Sequence, residues 1–172
     1  MTKNPYPILC GSIAGKPSKI GPQIHRAGYE YLGLEYTYVA FGIDDVQAAL
    51  QAMRTLGIRG FGVTMPFKRR VIPYLDEIDP AAKAIGAVNT IVNDNGKLIG
   101  YNFDWLGAVR AIKEQTTIAE KKVIVIGAGG GARAVVYGMK QEGAKQVEIF
   151  NRTPEKAEKI AAELGCKFGG DL

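Results

Sequence analysis

KVIVIGAGGGARAVVYG, residues 122–138, decides the fold. Its apolar run from Val123 to Ile126 enters a cluster of glycines and leaves it in a segment with helical spacing. A strand that feeds glycines and then a helix opens a βαβ unit. Glycines at such a turn let the backbone bend tightly and let a pyrophosphate approach the N-terminus of the following helix. Gly127, Ala128, Gly129, Gly130, Gly131 and Ala132 are therefore the expected phosphate-side contacts. A glycine turn with a purely structural use is the alternative, and the strand before it and the helix after it weigh for nucleotide binding.

The next strand bears on which nucleotide. Sites for NAD place an acidic residue on the ribose hydroxyls about 20 residues beyond the glycines. Here VEIFNRTPEK, residues 147–156, offers Asn151, Arg152 and Thr153 at the strand end, with Lys156 one turn further. Cations and no carboxylate suit a 2′-phosphate, so NADP is expected over NAD. Thr153 also reads as a plain N-cap before Pro154, a role compatible with ligand contact. Arg152 as a simple surface charge is the competing reading.

Outward from this unit, short β-rich runs alternate with helix-period segments, which is the α/β pattern. PILCGSI (7–13) and EYTYVAF (35–41) read as strands around a helical stretch at 22–32. Val46, Ala49, Leu50, Met53 and Leu56 recur at helical spacing, with Asp44 and Asp45 at the positive end and Gly57 as the stop. The strand IRGFGVTM follows, and Pro66 suits a first helical position, which would put Lys68 in the first turn of a short helix. AVNTIVNDNGKLIGYN (87–102) reads as a hairpin turning at Asn95-Gly96. A helix carrying Leu106, Val109 and Ile112 comes next, and the polar stretch KEQTTIAEKK (113–122) is the expected domain boundary.

Composition narrows the function classes. At 172 residues and 47% hydrophobic content the chain can bury a sizeable core. The net charge of +5 comes from cations spread along the chain, without a block of like charge, which argues for a small anionic ligand and against nucleic acid. Cys10 and Cys166 lie far apart with no metal-ligand spacing, so reduced thiols and no metal site are expected. No segment approaches the ~20 apolar residues of a membrane span, and no leader is evident, so a cytoplasmic protein without a membrane partner is expected.

VTMPFK (63–68), GAVNT (86–90), GYNFDWLG (100–107), GAGGGARA (127–134) and NRTPEKAE (151–158) together resemble the shikimate dehydrogenase family, in order and at similar spacing. The resemblance implies an α/β fold in which an N-terminal α/β substrate domain, residues 1–115, precedes a partial Rossmann dinucleotide-binding domain, residues 121–172, with the active site in a cleft between them. It implies NADP-dependent hydride transfer to and from a hydroxylated ring carboxylate such as shikimate, by a monomer or homodimer. The family's catalytic lysine falls on Lys68 and its partner aspartate on Asp104. Thr64 and Asn89 fall on substrate-contacting positions. Oxidising an alcohol requires loss of the hydroxyl proton as hydride leaves, so a lysine near that oxygen can stabilise the developing alkoxide or exchange the proton. Lys68 and Asp104 as a mere surface ion pair, and Asn89 as a residue that only satisfies backbone groups, are the structural alternatives.

The departures from the family pattern are local. Where the family has two serines for the substrate carboxylate, GKPSKIGPQIH (15–25) offers only Ser18, with Lys16 and Lys19 nearby. Gly62 replaces an asparagine before Val63 and Phe103 replaces a threonine before Asp104, both reshaping the pocket. This resembles the divergent branch of the family, so quinate or a related ring acid is an alternative substrate. The family also continues beyond the strands this chain contains, which reads as a fragment with at most three strands in its Rossmann unit. A nucleotide-binding module that lost its chemistry is the remaining alternative, against which the presence of both Lys68 and Asp104 weighs. The single histidine, His25, reads as a packing and hydrogen-bonding residue, and Trp105 and the tyrosines as core or rim.

Overall fold

The computed structural model describes residues 6–171, which form two compact units. The first runs to Asp79 and includes Val88–Tyr101, and the second takes Pro80–Ala87 and the chain from Asn102 onward. Both are α/β, as the sequence requires.

The first unit contains β1 (Ile8–Ala14), α1 (Ile20–Tyr31), β2 (Tyr36–Gly42), α2 (Val46–Thr55), β3 (Gly60–Val63), β4 (Glu77–Ile78), β5 (Thr90–Asp94) and β6 (Lys97–Tyr101). They make one sheet in the order β2-β1-β3-β5-β6-β4. β1 runs parallel to β2 and β3, whereas β3–β5 and β5–β6 are antiparallel. The Asp45 carboxylate caps α2 by accepting the Ala48 N–H at 3.0 Å, satisfying one of the orphan donors at a helix start. Val46, Leu50 and Met53 are the buried stripe of that helix. The β5–β6 turn has positive φ at both Asn95 (52°) and Gly96 (92°), the requirement of a tight two-residue hairpin.

The second unit contains α3 (Pro80–Ile85), α4 (Asp104–Lys113), β7 (Lys122–Ile126), α5 (Gly130–Gln141), β8 (Gln146–Phe150), α6 (Pro154–Leu164) and β9 (Lys167–Gly170). Its sheet is parallel throughout, ordered β7-β8-β9. Val125, Val136, Met139, Val147, Ile149, Ala157 and Ile160 form its core.

Two expectations change. The polar stretch 113–122 is not where packing divides the chain, because α4 belongs with the second unit: Val109 is in its core, and Gly138 of α5 leaves room for Val109 and the Trp105 backbone. Periodicity reveals a helix but not the surface it packs on. The segment after Pro66 is also not a helix. It is a run of turns over 65–71 that ends in a single 3₁₀ turn, Ile72–Tyr74. The carbonyls that helical bonding would use are taken elsewhere, Met65 O by the Gly15 N–H at 3.2 Å and Lys68 O by the Val88 N–H at 2.8 Å.

Candidate active site

In the first unit the residues of interest gather at one end of β3. The parallel ladder extends one bond past the strand, with the Thr64 N–H donating to Ile13 O at 3.2 Å. The next turn is closed by the Phe67 N–H on Thr64 O at 2.8 Å, and Phe67, only 2% exposed, anchors the turn in the core. Lys68 follows directly and is half-buried. Its carbonyl bond to Val88 ties it to the segment that presents Asn89, whose own carbonyl accepts the Val63 N–H at 2.7 Å. The Asn89 side chain accepts from the Thr90 hydroxyl at 2.9 Å. Thr64, Lys68 and Asn89 are thus fixed to one another through main-chain bonds, and side-chain chemistry can be presented from a rigid base.

Ser18 lies in the loop between β1 and α1, whose Gly15 N–H bonds Met65 O at 3.2 Å. Its hydroxyl accepts the N–H of Ile20 at 3.1 Å, at the start of α1, and the residue is exposed. His25 packs as the sequence reading expects, with Nδ1–H donating to Gly21 O at 2.8 Å and the ring stacked on Tyr38 at 3.8 Å.

The second unit holds Asp104 as the first residue of α4, half-buried. Asn102, 2% exposed, positions it: Oδ1 accepts the Asp104 N–H at 3.0 Å while Nδ2 donates to Ala87 O at 2.9 Å. The sequence reading quoted Asn102 without giving it a role, although an Asn two residues before a helix start is a recognisable turn signal.

The glycine turn joins β7 to α5. Gly127 has φ 110°, a conformation that side chains other than glycine's rarely adopt, and its N–H donates to Phe150 O at 2.8 Å. At Gly127, Gly129 and Gly131 an added Cβ would meet no atom within 4 Å, so the space before these residues is open. Gly129 stands at the N-cap of the 12-residue α5, whose first N–H groups have no partners within the helix. Ala128, Gly130 and Ala132 complete the turn. Asn151, Arg152 and Thr153 follow β8, with Asn151 Nδ2 donating to Thr153 O at 2.8 Å and the Lys156 N–H donating to the same carbonyl at 3.1 Å. Thr153 takes the N-cap position of α6 without a side-chain capping bond. Arg152 and Lys156 are exposed.

One further residue of this unit lies outside every role assigned from the sequence. Arg133, 5% exposed, donates from Nε to Ile85 O at 2.6 Å and from Nη1 to Glu163 at 2.5 Å. An arginine among the alanines and valines of α5 was the available signal.

A strand–glycine turn–helix unit with an open glycine face defines the second unit as a Rossmann-type nucleotide-binding fold. Comparisons with known proteins agree. Residues 14–91 match the family model described as the shikimate dehydrogenase substrate binding domain, and residues 110–168 match that of shikimate / quinate 5-dehydrogenase. A shikimate dehydrogenase-like protein of Haemophilus influenzae is 45% identical over 95% of this chain and 60% of its own length. The shikimate dehydrogenase (NADP(+)) of Alkaliphilus oremlandii is 45% identical over 91% of this chain and 56% of its own length. The crystal structure of shikimate dehydrogenase from Aquifex aeolicus superposes with a TM-score of 0.90 at 39% identity, covering 97% of this chain and 64% of that one. The chain belongs to the shikimate dehydrogenase family. It spans 56–60% of the length of these two curated relatives.

Proposed function

We propose that this chain carries residues of an NADP-dependent dehydrogenase that interconverts shikimate and its 3-keto form. The observation that carries the reading is the main-chain framework holding Thr64, Lys68 and Asn89 at the end of β3. Thr64 and Asn89 bind the ring hydroxyls, and the Lys68 ammonium stabilises the negative charge on the oxygen as its proton leaves. Asp104, at the start of α4, is the carboxylate that the family resemblance assigns as partner of that lysine. Gly127, Gly129 and Gly131 leave the room that a pyrophosphate needs, and the opening turn of α5 offers it N–H donors. Arg152, Thr153 and Lys156 hold the 2′-phosphate, Asn151 fixing the loop through Thr153 O. When bound, NADP supplies the acceptor for the hydride that leaves the ring carbon. The relative from Alkaliphilus oremlandii, named for NADP, supports that choice.

Quinate or a related hydroxylated ring acid is the second reading, favoured by the segment GKPSKIGPQIH (15–25), which offers Ser18 alone where the family has two serines. NADP reduction against shikimate and quinate, with NAD as control and Lys68→Ala alongside, tests both. We expect turnover with one of the acids that falls by about 10²–10⁴-fold in the variant. NADP binding without turnover on either acid favours a module that has lost the chemistry and sinks this reading.

A further inference from the structure

We propose that Tyr38 and Ser12 form a specificity-determining hydroxyl pair that contacts a ring hydroxyl of the substrate, taking the place of a side chain at position 62. This inference rests on the function proposed above and adds a contact to that site. It follows from strand register. Cys10 pairs with Tyr38 on one side and Gly60 on the other, and Ser12 pairs with Gly62, so these side chains share one face of the sheet. Gly62 pairs in turn with Thr90, whose hydroxyl donates to the Asn89 side chain. Thr64, two residues beyond Gly62, continues on the same face. Gly62 therefore lies between Ser12 and Thr90, in the row that leads to the proposed substrate residues.

Tyr38 fills the place above it. Its hydroxyl lies 3.0 Å from where a Cβ at position 62 would stand, with Ser12 Cβ 3.6 Å from the same point. A larger residue at 62 would have to displace this ring. The ring is held from behind by His25, stacked at 3.8 Å with planes 10° apart. The Tyr38 hydroxyl and the Ser12 side chain both border the point beside Gly62, and both residues remain half-buried, so a ligand can reach them. Burial pushes the phenol pKa up against the opposing pull of Ser12, which keeps Tyr38 protonated and able to donate.

The chemistry of the pair selects the ligand group. Each hydroxyl carries one O–H and two lone pairs, so together they offer both donors and acceptors. A substrate hydroxyl, which also donates and accepts, satisfies both. A carboxylate only accepts, so it would use the O–H groups and leave the lone pairs of the pair unmatched.

Equilibrium binding of shikimate, its three monodeoxy analogues and its methyl ester to the wild type, Tyr38→Phe and Ser12→Ala tests the assignment, with thermal unfolding confirming that each variant is folded. Tyr38→Phe is expected to weaken shikimate by about tenfold and Ser12→Ala by several-fold. The effect of Tyr38→Phe should vanish for the one deoxy analogue that lacks the contacted hydroxyl and persist for the ester. A purely structural tyrosine would not single out one analogue. Unchanged shikimate affinity in a folded Tyr38→Phe overturns the proposal alone, as does an effect lost with the ester or spread evenly over all analogues. Failure of the wild type to bind shikimate overturns this proposal together with the shikimate reading on which it rests.

Discussion

Arg133 shows how much one side chain can hold. A guanidinium that is 5% exposed must have its N–H groups paired, and here Ile85 O and the Glu163 carboxylate take them. Gly86 completes the arrangement: its φ is 68°, and a Cβ there would come within 2.7 Å of Arg133 Nη2. The arginine thus fixes the backbone just ahead of Ala87 and Val88, both fully buried. Arg133→Met should cost about 1.5–3 kcal/mol in denaturant unfolding, the worth of a charge-assisted hydrogen bond. A loss below about 0.5 kcal/mol, the usual range for a surface change, would show that neither bond contributes. Lys68 and Asp104 enter the proposed site through motifs that are local in sequence, VTMPFK and GYNFDWLG. Arg133 was not legible in this way, since its role depends on a carbonyl 48 residues away.

At the scale of elements, Arg54 near the end of α2 ties three segments together. It bonds Asp76 at 2.8 Å, and it donates to the carbonyls of Tyr74 and Gly96, reaching the 3₁₀ turn and the β5–β6 turn. Asp76 also accepts the Leu98 N–H at 2.6 Å. The Arg54 hydrogen bond first, and the Leu98 N–H second, hold the Asp76 carboxyl below the ordinary carboxylate value. A depressed pKa means that the folded state favours the ionised form, so the stability it contributes is present at neutral pH. It is lost as pH falls below about 4 and through the folded value. Asp76→Asn should therefore lower the melting temperature at pH 7 and shrink the fall in melting temperature between about pH 5 and 2.5. An acid limb of unchanged steepness counts against this. The helix α2, the β5–β6 hairpin and the glycine turn could be read from spacing and turn chemistry because each signal is local. β4 has two residues and α3 six, too short for a period to register. The turns after Pro66 were misread as a helix because the partners of Met65 and Lys68 carbonyls are distant in sequence.

At the scale of the whole molecule, the second unit's sheet buries one face and exposes part of the other. Val125 on β7 is 7% exposed, whereas its neighbours Ile124 and Ile126 are 65% and 69% exposed. Adjacent apolar residues on one open face bind apolar probes. Replacing both isoleucines by threonine should reduce the fluorescence of an apolar dye bound to the native chain, with little change in melting temperature. Undiminished dye binding would place the apolar surface elsewhere. The two units also differ from beads on a string. The chain enters the second unit at Pro80, returns to the first at Val88 and leaves it again at Asn102. A gene cut after residue 101 would yield the first unit bearing α3, with Ile85 and Ala87 stripped of their partner Ala134, and would leave the remainder without a helix it needs. Recombination at any single joint thus mismatches both products, so related genes can exchange these units only as one inherited block.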